Sequence, residues 1–437
     1  MIRTIKRILI FSIFLIIGID SYAQEGAYGA YSPYSIYGIG DISKQGTAFN
    51  KGMGGVGVAT RNRRFINYLN PAAVTARDSL SFMADFGLIQ NNKVFRQGDI
   101  KSGNNTFNIY DFVMSFPIYR SSAFVVGVTP FSDVGYDFSS IESDPDIIGN
   151  TGNITYDSYG IGSVYQAFIG AGVTLWDRLS LGAEALYYFG NISKVTNMNY
   201  SNSSYRSING GNKLVVNALT GKFGVQYEQK LGGDVSMTIG ATYRLGTRMK
   251  GYSTEYRYAN LSSVTDTLRH NMDTLGKTGA RIADEIGIGI AIKGGEKWMA
   301  EFDYLRSDWS SSGFDNLAGL GVSGDSKFTS TASQSFRAGF EFVPNRNDIR
   351  YYFKRCTYRA GVYYDQSYYK LDGNNVNAAG ITLGITLPVF RLYNGVSLGV
   401  DIGQKSSSRN NMIRERYAMF VVGFNIHDIW FRKNQYQ

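Results

Sequence analysis

The sequence predicts an all-β fold, a transmembrane antiparallel β-barrel of about fourteen strands, and three observations support that prediction. Apolar and polar residues alternate with a period of two along most of the chain after residue 80. The connections between these segments are alternately short and long. Beyond the N-terminus there is no run of about 18 apolar residues, which excludes membrane-spanning helices.

The segment over residues 235–246 shows the alternation most clearly. Val235, Ile239 and Tyr243 fall on one face, while Thr238 falls on the other with small and polar residues. A soluble β-sandwich or propeller would alternate in the same way. Indole rings prefer the lipid–water interface, however, and this favours the membrane barrel. All four tryptophans fall at predicted strand ends: Trp176, Trp298, Trp309 and Trp430.

Two sets of connections define two rims of the predicted barrel. The short ones are residues 119–122, 176–178, 229–233, 294–297 and 390–395, with a longer one at residues 344–355. The long, polar ones are residues 90–106, 137–160, 193–212, 250–284, 310–327, 366–375 and 404–415. Outer-membrane barrels place short turns in the periplasm and long loops outside the cell. The layout therefore predicts a multi-pass barrel in the outer membrane of a Gram-negative cell.

The N-terminus has the pattern of a cleavable signal peptide. Arg3, Lys6 and Arg7 give it a basic start, residues 8–17 are mostly apolar, and residues 21–23 are small or polar with Ala23 last. The apolar stretch is too short to cross a bilayer as a helix. We therefore expect export and cleavage after Ala23. The only cysteine, Cys356, predicts no disulfide within the chain.

The formal net charge is +9, but the charges are scattered through turns and loops. A nucleic-acid surface would need a dense basic run with interleaved aromatic residues, so no nucleic-acid partner is expected. A basic residue that faces lipid near the midplane costs about 2–4 kcal/mol. We therefore expect lumen positions for the charged residues of the strands: Asp85, Glu184, Glu228, Arg244, Glu301, Asp303, Arg337, Glu341, Arg359 and Asp401. Adjacent strands predict ion pairs of Glu301 or Asp303 with Arg337, and of Glu341 with Arg359.

The segment before the barrel is rich in glycine and lacks sustained alternation. A barrel of about fourteen strands has a lumen that some fifty residues can plug. The sequence thus predicts a signal peptide over residues 1–23, an N-terminal hatch over residues 24–79 and a barrel over residues 80–437. The residues that mark the hatch are Gly40, Gly52, Gly54, Gly55, Asn70, Pro71 and Ala72.

Residues 52–57 also satisfy the pattern GxGxxG, and Asp78 follows about twenty residues later. A dinucleotide site needs a preceding strand of a βαβ unit, which this segment lacks. We therefore interpret these glycines as positions where the hatch backbone turns tightly against the wall, and we expect no nucleotide or other cofactor.

Together, the glycine-rich hatch, the Asn70-Pro71-Ala72 step with Thr75 after it, the strand that follows directly and the strand number resemble the FadL-type outer-membrane transport family. That resemblance implies a monomeric barrel in outer-membrane lipid that passively transports a hydrophobic small molecule, such as a long-chain fatty acid. Some members of the family are similar to partner subunits in protein secretion. The alternative is therefore a non-transporting subunit of a secretion or outer-membrane assembly complex.

In the resembled family the ligand leaves sideways through a gap beside a kinked third strand. The third strand here, predicted from Phe124 to about Val134, contains Pro130, which cannot donate a backbone hydrogen bond to a neighbouring strand. We predict a lateral exit near Thr129 and Pro130. The alternative is that Pro130 only marks the outer end of the strand.

Residues suited to catalysis are scarce. The chain has two histidines, His270 in the longest loop and His427 in the last strand, and neither has an evident serine or carboxylate partner in sequence. We therefore predict no enzyme, with a barrel-embedded lipid enzyme as the third and weakest alternative. The acidic residues Glu142, Asp144 and Asp146 are interpreted as a solvated turn, so no metal site is expected.

Overall fold

The computed structural model describes residues 30–78, 80–119, 121–261, 264–275, 279–316, 322–323, 326–389, 394–407 and 412–429. The predicted signal peptide and Trp430 lie outside these residues. Within them the chain forms a closed antiparallel barrel of 14 strands, which confirms the predicted fold class. No helix in this part of the chain is long and apolar enough to cross a membrane.

The strands in chain order are β1 (Asp41–Ile42), β2 (Ser81–Gln97), β3 (Ile100–Tyr119), β4 (Ser122–Ile141), β5 (Ile154–Leu175), β6 (Leu179–Tyr200), β7 (Ser207–Gly232), β8 (Val235–Arg244), β9 (Thr247–Arg248), β10 (Lys250–Leu261), β11 (Val264–Thr274), β12 (Arg281–Ile282), β13 (Glu285–Gly294), β14 (Trp298–Asp308), β15 (Val322–Ser323), β16 (Ser326–Ser330), β17 (Ala332–Phe342), β18 (Thr357–Leu371), β19 (Asn374–Pro388), β20 (Gly395–Ser407) and β21 (Arg414–Ile429). Short helical segments occur at Pro33–Ile36, Ala48–Lys51, Pro71–Ala76, Pro145–Thr151, Phe314–Asn316 and Tyr352–Arg355.

The wall consists of β2–β8, β13, β14 and β17–β21. Wall strands that follow one another in the chain are antiparallel neighbours, and the first pairs with the last, so that Ser81 lies opposite Ile429. This pairing leaves the ring without a free edge at its seam, as a barrel in lipid requires.

At the long-loop rim several strands extend well beyond the predicted boundaries. β5 and β6 pair from Ile154 opposite Tyr200 to Leu175 opposite Leu179, so β6 enters the predicted loop over residues 193–212. The predicted loop over residues 250–284 contains β10 and β11, and β10 extends the wall along β7. Polar residues predominate in this stretch, and its sparse apolar residues do not give the sustained alternation from which a strand is predicted.

The alternation separates a lipid face from a lumen face as predicted. In β13 the outward isoleucines, Ile286, Ile288, Ile290 and Ile292, are 38–53% exposed. The residues between them are small. The charged residues expected in the lumen are buried, with Glu228 and Arg337 half-buried. Their placement in the lumen avoids the free-energy cost of charged side chains that face lipid.

Trp309 departs from the predicted position at the lipid–water interface. It lies just beyond the end of β14 and is only 1% exposed. Its ring packs against Phe314 at 5.9 Å and Tyr368 at 5.1 Å, centroid to centroid. The indole is thus part of an aromatic cluster inside the barrel. Trp176, by contrast, is exposed in the turn between β5 and β6.

Candidate functional site

Residues 30–78, called the hatch below, run through the interior of the barrel. The wall makes room for this segment with glycines, because a Cβ added at any of five wall positions would collide with hatch backbone atoms. These positions are Gly182, Gly240, Gly339 and Gly361, with Gly172 in a looser contact. Hatch and wall therefore meet backbone to backbone, without side chains or solvent between them.

Two carboxylates of β14 hold the middle of the hatch. The N–H groups of Gly57 and Val58 donate to Oδ2 of Asp303 at 2.7 and 3.0 Å. Those of Ala59 and Thr60 donate to Oε1 of Glu301 at 2.8 and 3.0 Å, and the Thr60 hydroxyl donates to the same carboxylate. Four consecutive backbone donors thus bind two neighbouring carboxyl groups that are buried in the barrel.

This arrangement explains the GxGxxG pattern of residues 52–57. The segment that follows the glycines does bind acidic groups with its backbone N–H groups, as phosphate-binding loops do. The groups that it binds are carboxyl groups of the protein's own wall. The sequence signals this contact only by two acidic residues two positions apart on one face of β14.

The predicted ion pairs have different outcomes. Arg359 and Glu341 pair at 2.9 Å, as predicted. Arg337 lies opposite Asp303 in the ladder between β14 and β17, but its guanidinium donates to the carbonyl of Gly55 at 3.0 Å and pairs with Asp365 at 3.9 Å. The predicted pair of Arg337 with Glu301 or Asp303 is therefore wrong, because the hatch backbone occupies both carboxylates.

The hatch glycines predicted from sequence lie at wall contacts. Gly54 and Gly55 have φ values of +74° and +79°, which side chains other than glycine rarely adopt. The N–H of Gly54 donates to Oγ1 of Thr382 on β19 at 2.7 Å. Gly52 faces Gly384 on the same strand, where an added Cβ would be 3.1 Å from the Gly384 Cα.

The Asn70-Pro71-Ala72 step begins the helical segment Pro71–Ala76. Oδ1 of Asn70 accepts from the N–H of Ala72 at 3.0 Å, and Pro71 suits the first position of the helix because it lacks the donor that would be unpaired there. Nδ2 of Asn70 donates to the carbonyls of Val58 at 2.7 Å and of Val225 on β7 at 3.3 Å. The step thus joins two parts of the hatch to the wall.

The predicted exit residues lie where the wall is incomplete. The ladder between β3 and β4 ends with Phe112 opposite Val128, and β4 has a bulge against β5 between Pro130 and Ser132. β4 then continues to Ile141, so the alternative in which Pro130 ends the strand is wrong. Residues 129–136 are all buried, which differs from the alternation in the lower half of the strand.

The hatch covers the edge of β4 that β3 leaves. β1 pairs with β4 through Asp41 opposite Asp133, and the N–H of Ser32 donates to the carbonyl of Gly135 at 2.7 Å. Gly40, with φ of +92°, lies so close to Asp133 that a Cβ would collide with its backbone. This part of the hatch takes the place of a neighbouring strand.

One glutamine of the hatch, Gln45, forms hydrogen bonds with β4 at the bulge. Nε2 of Gln45 donates to the carbonyl of Pro130 at 2.8 Å, and Oε1 of Gln45 accepts from the Thr129 hydroxyl at 3.1 Å. Gln166 on β5 donates to the same Oε1 at 2.7 Å. Thr129 and Pro130 are therefore neighbours of the hatch.

Beside these contacts lies a cavity of about 370 Å³. Eight basic and eight acidic residues line it, together with apolar side chains such as Leu69 and Phe168. Opposite charges are paired across it, with Lys44 at 2.8 Å from Asp401 and Lys93 at 2.7 Å from Glu415. The cavity thus combines paired charges with a lining surface that is mostly apolar.

The remaining candidate groups do not come together. His427 lies near the short-turn rim and His270 in the β10–β11 hairpin at the opposite rim. Glu142 accepts the N–H of Asp144 at 3.1 Å, which lowers the pKa of its carboxyl. Asp144 in turn caps the helix Pro145–Thr151. In the described part of the chain no group of three or more His, Cys, Asp or Glu is placed to hold a metal ion.

Comparison with known proteins places the chain in a family. The family BamG matches all of residues 1–437. The chain belongs to the BamG family. No curated protein matches the sequence.

Solved structures with the same fold as this BamG-family barrel include three outer-membrane proteins. The toluene transporter TbuX of Ralstonia pickettii has a TM-score of 0.60 and 16% identity, with 87% of this chain and 98% of that chain covered. A FadL homologue of Pseudomonas aeruginosa has a TM-score of 0.56 and 13% identity, with 89% and 99% covered. The toluene transporter TodX of Pseudomonas putida has a TM-score of 0.55 and 15% identity, with 89% and 99% covered. The FadL-type barrel fold is thereby confirmed.

Proposed function

We propose that this protein is a non-transporting barrel subunit of a secretion or outer-membrane assembly complex, and that its hatch stays in the lumen. The observation on which this rests is the binding of four consecutive hatch N–H groups by Asp303 and Glu301. The proposal includes export through the signal peptide predicted over residues 1–23.

The energy of that contact argues for a permanent plug. A hydrogen bond contributes about 0.5–1.5 kcal/mol net, so four contribute on the order of 2–6 kcal/mol. The whole free energy of unfolding of a typical domain is only about 5–15 kcal/mol, so this contact is a large share of such a total. Withdrawal of the hatch would also leave two carboxylates in the lumen without their donors. A transport cycle that moves the hatch would have to supply this energy at every turnover.

The charged groups of the cavity also argue against an apolar cargo, whereas the apolar part of its lining would accept one. A hydrocarbon gains about 0.8 kcal/mol for each methylene moved from water into apolar surroundings. Next to sixteen charged residues it would instead displace water from groups that need hydrogen bonds, which costs about 1–3 kcal/mol for each group left unsatisfied. Membership of the BamG family does not indicate a transported molecule. The likeness to the toluene transporters, at 15–16% identity, concerns the fold.

The second candidate is passive transport of a hydrophobic small molecule, such as a long-chain fatty acid, with a lateral exit at Thr129 and Pro130. The observation that favours it is the interrupted ladder between β3 and β4, next to the cavity. In this alternative the ligand would pass between the hatch and β4, where the contacts of Gln45 and the neighbouring bonds of β1 to β4 would have to open.

Two measurements on the same strain separate the candidates. The protein is extracted from its native membrane in mild detergent, and the mass of the particle is measured together with its subunit composition. Uptake of labelled toluene and labelled oleate is measured in cells with the wild-type chain, with Pro130→Val and without the chain. We expect a stoichiometric complex and uptake that does not depend on the chain. A single-chain particle with uptake that requires the chain, and that changes in Pro130→Val, would favour transport.

A further inference from the structure

One connection at the short-turn rim is unlike its neighbours. Between Phe342 at the end of β17 and Thr357 at the start of β18 the chain makes a long excursion that contains the helix Tyr352–Arg355. The turns between β5 and β6, β7 and β8, and β13 and β14 are only two or three residues long. Short turns suffice to join barrel strands, so this excursion is not needed for closure.

The excursion is internally ordered. Oδ1 of Asp348 accepts the N–H groups of Arg350 at 2.9 Å and Tyr351 at 2.7 Å, and the bond from Tyr351 is the main reason why the pKa of this carboxyl is lowered. The N–H of Asn345 donates to the carbonyl of Lys354 at 2.9 Å. These bonds fix the backbone before any partner binds, which lowers the entropy cost of binding.

Its apolar side chains face water. Ile349 is 97% exposed, Phe353 is 70% exposed and Tyr351 is 60% exposed. None of the three is buried in the barrel. Large apolar and aromatic residues held on an ordered backbone are typical of binding hot spots.

The surroundings are basic. The excursion contains Arg346, Arg350, Lys354 and Arg355 against Asp348 alone, a net charge of 4 − 1 = +3. The hatch segment with Arg61, Arg63 and Arg64 approaches the same rim, and Glu296 links the two, at 2.8 Å from Arg64 and 3.7 Å from Arg346. The basic surface therefore runs from the wall to the mouth of the barrel.

Given the proposed function, on which this inference rests, we propose that this surface docks an acidic segment of a periplasmic partner protein. We call it the rim patch and define it as Ile349, Arg350, Tyr351, Phe353 and Lys354. Its net positive charge selects an acidic partner, and its exposed side chains supply the apolar contact. Because Glu296 joins this connection to the hatch arginines at the mouth of the barrel, one periplasmic protein can cover both.

The test uses the full chain in its native membrane. A photo-crosslinking residue, benzoylphenylalanine, replaces Ile349, and in a matched control it replaces Ile141, which is 70% exposed at the opposite rim. We expect one discrete protein adduct from position 349, with the crosslink mapped by mass spectrometry to a segment rich in Asp and Glu, and none of that adduct from position 141. Adducts with lipid alone, or with a segment that lacks acidic residues, would overturn the inference.

Two substitutions then test the chemistry. Arg350→Glu and Phe353→Ser should each lower the recovery of the crosslinked partner at least about tenfold, which corresponds to 1.4 kcal/mol. Lys101→Glu and Ile141→Ser at the long-loop rim should leave recovery unchanged. Heat-modifiable mobility in electrophoresis verifies that each barrel is folded.

The outcomes separate this inference from the proposed function. If the wild-type chain is extracted alone, the subunit proposal fails and the docking surface fails with it. If the wild-type complex is intact and remains intact in both rim-patch variants, only the docking surface is refuted.

Discussion

The hatch is held on two sides of the barrel by different chemistry. On the β14 side the strand has both wall neighbours, so its backbone groups are occupied and it binds the hatch with side-chain carboxylates. On the β4 side the strand has lost β3 above Val128, and it binds the hatch through its own backbone edge. A complete wall must use side chains to hold a plug, whereas an interrupted wall can use the plug as its missing strand.

The largest effect should come from the carboxylate side. Asp303→Ala removes two hydrogen bonds and leaves the N–H groups of Gly57 and Val58 buried without acceptors. Each buried donor left unsatisfied costs about 1–3 kcal/mol, so we expect the free energy of hatch closure to fall by about 2–6 kcal/mol. Hydrogen exchange at residues 57–60, followed by mass spectrometry in detergent, measures the change.

Asp308→Ala is the matched control for that experiment, because Asp308 is exposed at the outer end of the same strand. Its exchange pattern at residues 57–60 should equal that of the wild type. Unchanged protection from hydrogen exchange at residues 57–60 in Asp303→Ala would show that the carboxylates do not hold the hatch. It would contradict the difference between the β14 and β4 sides.

A smaller effect should follow from crowding the contact between wall and hatch. In Gly240→Ala the new methyl group would collide with the carbonyl of Val58, and overpacking of this kind costs about 1–3 kcal/mol. Gly221→Ala is the control, since its nearest neighbour would be 3.7 Å away, an ordinary contact. The two midpoints of thermal unfolding in detergent are compared. Equal midpoints would contradict a close contact between the hatch and β8 at Gly240.

The β4 side should be weaker. Gln45→Ala removes neutral hydrogen bonds to Pro130, Thr129 and Gln166, each of which contributes about 0.5–1.5 kcal/mol. Exchange should increase at residues 31–43 and stay unchanged at residues 57–60. Equal increases in both stretches would mean that the hatch opens as one unit, without the two separate attachments inferred above.

The smallest effect concerns the exposed connection between β17 and β18. There Asp348 accepts hydrogen bonds from backbone N–H groups, as Asp303 does in the lumen, but it is exposed to water. The pKa of this carboxyl is lowered in the folded turn, so its contribution to order is present at neutral pH and is lost as the pH falls below the range in which an unfolded aspartate titrates, near 4. A spin label on Ile349→Cys should become more mobile as the pH falls from 7 to 3. In Asp348→Asn its mobility should not depend on pH, and a pH response that survives this substitution would refute the assignment.

Much of the barrel was accessible from sequence, because a strand in lipid must expose alternate apolar side chains. The faces of β8 and β13, the number of wall strands and the lumen position of Asp401 all follow from that requirement. The strands at the long-loop rim were not predicted, since polar residues predominate there and the apolar ones do not alternate over a sustained stretch. Hence β10 and β11 lie in a predicted loop.

The contacts of the hatch depend on which distant residues meet, and sequence spacing does not encode this. Arg337 was assigned to Asp303 from strand adjacency, but that pairing ignores the hatch that lies between them. Trp309 was placed at the membrane interface for a similar reason, because the aromatic cluster with Tyr368 forms only once β14 and β18 enclose the same interior.

The hatch also restricts the order in which the protein can be assembled. Its first residues bond to the last strands, with Ser32 donating to Glu415 at 2.6 Å across 383 positions of sequence, and Gly54 donating to Thr382 across 328. The first part of the chain to be exported therefore finds its acceptors only when the final part arrives. Contacts between such distant parts of a sequence form slowly, so ring closure and seating of the hatch are expected to be a single late event in folding.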